Sequence, residues 1–228
     1  MIVTDRLIFL HLHKSGGTFV NKLLLRCMPP AERLGYHLPY RETPAPFRDR
    51  PVVGTVRSPW AYYVSWYHFQ AAQPNPNPLF RICSDDGRLG FKQTAGNLIN
   101  LADDEARLKL LEKALPETYS NRGLNLTKSC VGELRERGVG FYSFLYERLY
   151  DGAVEPTIMR AERLREELRA TLSQLGHLPN ACAEHFLDEV PPINVSEHDE
   201  PARYYDAELA ELVADRDRKV VERYAYVL

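Results

Sequence analysis

Apolar residues cluster in short unbroken runs and in longer stretches at helical spacing. Leu7 to His11 (LIFLH) is such a run and predicts a buried strand. After HKSGGT, the segment FVNKLLLRC predicts a helix, which Pro29-Pro30 stops. Residues 31–50 are polar and proline-bearing, and read as a loop. Val52 to Val56 (VVGTV) predicts a second buried strand. Ser58 then stands at a cap position and Pro59 at the first helical position of WAYYVSWYHFQ. That helix ends before Pro74-Asn75-Pro76-Asn77-Pro78, an exposed loop.

Residues 93–137 read as helical, with breaks near Asp103, Pro116 and Gly123. Thr157 to Arg160 (TIMR) is a third strand, followed by an amphipathic helix from Ala161 to about Leu175. Residues 190–201 form an irregular loop, and a final helix runs from Asp206 to about Tyr224. This alternation, with helix in excess, predicts a helix-rich α/β fold of three layers around a small central parallel sheet. No linker divides the chain, so 1–228 reads as a single domain.

Composition narrows the function. Lys and Arg total 29 against 31 Asp and Glu, which argues against a generic nucleic-acid binder. No segment nears the ~18 consecutive apolar residues of a membrane helix. The start MIVTDRLIFLHLHK lacks the features of a signal peptide, so a cytoplasmic chain is expected. Cys27, Cys83, Cys130 and Cys182 are widely spaced and form no CxxC pair, which predicts reduced, packed thiols. The sequons at Asn125 and Asn194 are then chance matches.

Candidate chemistry starts at LIFLHLHKSGGTFVNKLL. A strand enters a Lys14-Ser15-Gly16-Gly17-Thr18 turn and a helix leaves it. Two glycines let the backbone turn its N–H groups inward, the helix start adds partial positive charge, and Lys14 adds a full one. This is an anion site in design, though Gly-Gly by itself would be a plain tight turn. It is not the GxxxxGK[ST] loop of nucleotide kinases: the lysine precedes the glycines, and VVGTVRS offers no Asp for magnesium. Further on, Arg57 closes the second strand and Ser65 lies two helical turns after Ser58. Alone, these would be a surface cation and a neutral helix serine; an Arg fork and a hydroxyl together could also grip a phosphate.

Taken together, the two segments resemble the sulfotransferases that use 3′-phosphoadenylyl sulfate (PAPS) as donor. HKSGGT resembles their 5′-phosphosulfate motif, and RSPWAYYVSWY their R-[DNS]-P-x(4–5)-S-x-Y pattern. The resemblance implies Lys14, Ser15, Gly16, Gly17 and Thr18 as 5′-side residues, with Arg57 and Ser65 clamping the 3′-phosphate. TIMRAERLREEL and PPINVS are looser matches, and the loop after Asn194 lacks an Arg-Lys-Gly cluster. PAPS would be the donor, adenosine 3′,5′-bisphosphate the product, and a carbohydrate or small-molecule hydroxyl the acceptor, with no metal.

A sulfuryl group carries less charge than a phosphoryl group, so transfer without a metal is physically reasonable. Lys14 would stabilise charge on the leaving phosphate. The acceptor must lose a proton, and histidine suits that role. Of His11, His13, His37, His68, His177, His185 and His198, the last three sit in bland contexts. His11 reads as packed in its strand, His13 as a neighbour of the anion turn, and His68 as an aromatic neighbour on its helix. His37, in GYHLPY, lies where uronyl-type sulfotransferases carry their catalytic histidine, with Pro39 replacing a second one. The resemblance therefore implies His37 as base, against a solvated loop histidine. Arg41, Arg48 and Arg50 would flank an acceptor mouth or form a solvated basic loop. Two other functions fit the same turn: a small-molecule kinase with a variant phosphate loop, and a non-catalytic nucleotide-binding module.

Overall fold

The computed structural model describes residues 1–120, 123–176, 180–193 and 196–228. The chain is α/β, with eleven α-helices and one five-stranded sheet among the described residues. It forms two compact units: residues 1–57 with 146–195, and residues 58–145 with 196–228.

The first unit holds the whole sheet, in the order β3-β1-β2-β4-β5. β2 (Ile8–Leu10), β4 (Val52–Val56) and β5 (Thr157–Arg160) are the runs marked by the sequence, and they pair in parallel. The sheet is mixed rather than parallel throughout. β1 (Ile2–Thr4) and β3 (Ala31–Arg33) add an antiparallel flank, and β3 occupies part of the stretch read as loop. On one face, Phe9, Val53 and Met159 pack against α1 (Gly17–Cys27), α8 (Leu164–Gln174) and α9 (Ala181–Glu189). Gly54 faces the other way, where an added Cβ would lie 2.2 Å from the Tyr150 hydroxyl. That hydroxyl accepts from the Thr55 amide (2.9 Å) and donates to the Thr55 carbonyl (2.8 Å), satisfying the strand where a side chain would have blocked it.

Cys27, the last residue of α1, is bonded to Cys182 in α9, which corrects the reading of four reduced thiols. The partners are 155 residues apart, so no local spacing marks them. Asn180 reinforces the same seam: its amide donates to the Cys27 carbonyl (2.7 Å), while its oxygen accepts from the Ala183 amide (2.9 Å) and caps α9. Cys83 and Cys130 are free and buried. The Asn125 side chain is also buried and accepts from the Ser120 amide (3.0 Å), whereas Asn194 lies outside the described residues.

The second unit is helical: α2 (Pro59–Ala71), α3 (Pro78–Ser84), α4 (Phe91–Ile99), α5 (Glu105–Ala114), α6 (Ser129–Arg137), and the pair α10 (Ala207–Arg216) and α11 (Arg218–Tyr224). The helix α7 (Phe141–Tyr150) runs across the boundary between the units in sequence. The single C-terminal helix expected from the sequence is broken at Asp217, which is fully buried. Its carboxylate accepts from the Tyr63 hydroxyl (2.7 Å) and the Ser143 amide (2.7 Å), and a Cβ on Gly140 would come within 2.6 Å of it. Burial pushes Asp217 up to about 6 in spite of these hydrogen bonds. No described helix is long and apolar enough to cross a membrane.

Two stability predictions follow from these ties. By the chain-entropy argument, a cross-link closing so long a loop contributes up to about 5 kcal/mol. Reductant should therefore lower the midpoint of thermal unfolding of the native chain, while Cys182→Ser should start low and ignore reductant. Asp217→Ala strands the Tyr63 hydroxyl and the Ser143 amide, and should cost about 3 kcal/mol or more in urea unfolding.

Candidate functional site

β2 ends at Leu10, and residues 11–16 turn the chain into α1. Within the turn, Lys14 and Gly16 both have left-handed backbone (φ 55° and 79°). Glycine takes that conformation freely, whereas lysine does so at a cost. A Cβ on Gly16 would also lie 2.7 Å from Leu164 Cδ2, so the turn is closed from the α8 side. Gly17 is required by space alone: its Cβ would fall 2.1 Å from His11 Cδ2. Ser15 is fully buried, and its hydroxyl donates to the His13 carbonyl (3.2 Å), so it braces the turn. Thr18 is half-buried in the first turn of α1, which carries no acidic residue.

Parallel pairing of β2 with β4 brings Arg57 to the same edge. Its Nη1 donates to the Lys14 carbonyl at 3.3 Å. Burial, and then the Arg57 charge, lower the Lys14 ammonium to about 8. An anion placed here would relieve both effects.

His37 comes to this edge from the long connection between β3 and β4. Its backbone is left-handed (φ 51°). Its Nδ1 is 2.7 Å from the His11 carbonyl oxygen, which can only accept, so Nδ1 carries the proton and Nε2 is left with its lone pair. The His37 ring stands 4.5 Å from that of His11 and 5.2 Å from that of His13. Burial holds His37 down to about 4, although the bond to the His11 carbonyl works the other way. Burial, and next the neighbouring His37, put His11 and His13 well below the ordinary range. All three rings are neutral at pH 7, and His37 is a weaker base than an ordinary histidine.

Lys14, Ser15, Gly16, Gly17, Thr18, Arg57 and His37 thus all belong to the first unit. Ser65 belongs to the second. It is buried, its hydroxyl lies 2.9 Å from that of Ser196, and the Ser196 hydroxyl also donates to the Ser65 carbonyl (3.4 Å). His68 is half-buried rather than in the core, its ring 5.0 Å from Tyr204 and 5.7 Å from His198. His185 is exposed on α9, and His177 lies outside the described residues. Arg48 is tied to the Thr43 carbonyl (2.9 Å), and Arg50 stacks on Phe47 (4.5 Å). Sequence reasoning missed Asn21, buried one turn into α1 with its amide nitrogen 3.0 Å from His11 Nδ1. A polar residue on the apolar face of FVNKLLL was the available signal. Among the described residues no group of three or more His, Cys, Asp or Glu could hold a metal ion.

Comparison with protein-family models, curated proteins and solved structures found no match to this chain.

The buried histidines set a pH dependence. Their folded pKa values lie below the unfolded ~6.5, so the unfolded chain takes up protons first as pH falls. Their contribution to stability is complete above pH ~6.5 and is lost as pH falls below it, for His37 down to about 4. Urea unfolding at several pH values should show the fall in wild type and a shallower one in His37→Ala.

Proposed function

We propose that this chain is a metal-independent sulfotransferase, moving a sulfuryl group from PAPS to a hydroxyl of a carbohydrate or small-molecule alcohol. The observation that carries the reading is that His37 and Arg57 are both tied to the segment that follows β2, His37 to the His11 carbonyl and Arg57 to the Lys14 carbonyl. Neither Lys14 nor His37 is glycine, yet both are held in left-handed backbone, at the carboxyl end of parallel strands. Strained residues of this kind cluster at functional sites, and ligands of α/β sheets gather at that edge. The finer fold reading, three layers around a phosphate-binding strand–turn–helix, belongs to the same proposal.

The chemistry is a single displacement. The acceptor oxygen attacks the donor sulfur, and the bond from sulfur to the 5′-phosphate oxygen breaks. The acceptor proton passes to His37 Nε2. Adenosine 3′,5′-bisphosphate leaves, its new charge stabilised by Lys14 and the N–H groups of the turn. Arg57 takes the 3′-phosphate. Ser65 was read as its helper, and Ser65→Ala tests that part separately, since its hydroxyl is held by Ser196.

A non-catalytic module that holds adenosine 3′,5′-bisphosphate is a second reading, favoured by the low basicity of His37. The low value also puts the acidic limb of the rate profile below the ordinary histidine range. In kcat/KM, which reports the free protein, the limb should fall near pH 4–5; in kcat it should move up, because bound donor charge favours imidazolium.

Transfer from labelled PAPS to a panel of acceptors, read by mass spectrometry, separates the two readings. With a working acceptor, Lys14→Ala should mainly lower kcat and Arg57→Ala should mainly raise KM for the donor. His37→Ala should lose ~10²–10⁴-fold in kcat with product affinity kept, and His37→Asn should not rescue it. At ~100 times its dissociation constant, adenosine 3′,5′-bisphosphate should stabilise the fold by roughly 2.7 kcal/mol, and AMP by much less. Binding without transfer by any acceptor would favour the module. A strict need for ATP and magnesium would turn the reading to a kinase.

A further inference from the structure

His11 has no role in the transfer just described, yet its surroundings are built with care. It is the first residue after β2, it is 5% exposed, and its ring lies on the α1 side of the sheet. The amide nitrogen of Asn21, itself 3% exposed, reaches His11 Nδ1 at 3.0 Å. An amide nitrogen only donates, so Nδ1 is the acceptor and the neutral ring carries its proton on Nε2.

The edge of the ring that carries this proton fills the place of a side chain on Gly17. A Cβ there would lie 2.1 Å from Cδ2 and 2.6 Å from Nε2 of His11. The Nε2–H edge therefore packs against Gly17, the first residue of α1. The His37 and Tyr36 rings lie 4.5 Å and 6.3 Å from the His11 ring, and the charges of the Met1 amine, His13 and Arg33 also act on it. Among the described residues, every influence on the His11 charge lowers its basicity.

We propose that His11 is a neutral hydrogen-bond donor to the 5′-phosphate side of the ligand held by residues 14–18, with Asn21 as the positioning residue that fixes its tautomer. The inference rests on the sulfotransferase reading of the turn. A neutral donor fits the surroundings of the ring, since burial and then the charges of His37, the Met1 amine, His13 and Arg33 all disfavour imidazolium at His11. It also separates the roles of neighbouring histidines. His37 has a free lone pair and receives a proton; His11 has an occupied Nδ1 and a protonated Nε2, so it can only donate.

The test uses the whole chain with ¹⁵N-labelled histidine. Long-range ¹H–¹⁵N spectra at pH 7 should show His11 protonated at Nε2, and that proton should shift downfield on adding adenosine 3′,5′-bisphosphate or AMP. Adenosine 3′-monophosphate, which lacks the 5′-phosphate, should not move it. His11→Leu should weaken adenosine 3′,5′-bisphosphate and AMP by about tenfold and leave the 3′-monophosphate unchanged, while His11→Gln, which keeps a donor, should recover most of the loss. Asn21→Leu should bring both tautomers into the spectrum. A proton found on Nδ1, a proton on Nε2 that ignores the 5′-phosphate, or a folded His11→Leu protein with wild-type affinity overturns the proposal. Should His11→Leu not fold, the tautomer and the ligand-induced shift in wild type decide. Wild-type protein that binds none of the three nucleotides overturns the sulfotransferase reading itself, and the role of His11 with it.

Discussion

Parallel pairing of β2 with β4 is the constraint on which the site depends. Parallel strands end at the same edge, so the turn after Leu10 and the arginine after Val56 must meet. The register fixes how closely: Leu10 stands opposite Gly54, and Arg57 then reaches back to the Lys14 carbonyl. An antiparallel pair would have placed these groups at opposite ends of the sheet. Gly54 keeps the arrangement stable from behind, since its missing side chain admits the Tyr150 hydroxyl to the backbone of Thr55.

Burial is the largest influence on the charges at this edge. Lys14 is lowered toward neutrality, and three imidazoles are kept uncharged beside it. On the proposed reading, an anion bound here would let Lys14 charge fully and would make His37 a better proton acceptor. Ligand binding and base strength are thereby linked through one local field. The asymmetry between His11 and His37 has an equally simple origin, because one ring nitrogen of each is committed by a partner that can only donate or only accept.

Much of this architecture is legible in the sequence because its elements are either apolar runs or proline-bounded. VVGTV and TIMR form strands at the residues read from the pattern, and α2 begins at Pro59 as its cap signals require. What stays hidden needs a partner to exist. β3 is three mostly exposed residues, Ala31–Arg33, that become a strand only by pairing with β1. The Cys27–Cys182 bond depends on the packing of α1 against α9. Asp217 looks like any polar helix residue until Tyr63 and Ser143 close on it. At the site, residue types announce an anion turn, but the weak basicity of His37 comes from burial, which no spacing encodes.

The division of the chain also bears on how it is made. The first unit is discontinuous: β4 is complete early, but its neighbour β5 lies beyond the entire stretch 58–145. On the ribosome the sheet therefore waits with an open edge while the helical unit emerges, a non-local pairing that is slow to close and exposed while it waits. The thiols follow the same order. Cys27 appears first, then Cys83 and Cys130, and its true partner Cys182 last. Burial of Cys83 and Cys130 in the second unit keeps both thiols out of reach of reagents, and the cross-link is left to Cys27 and Cys182 of the first.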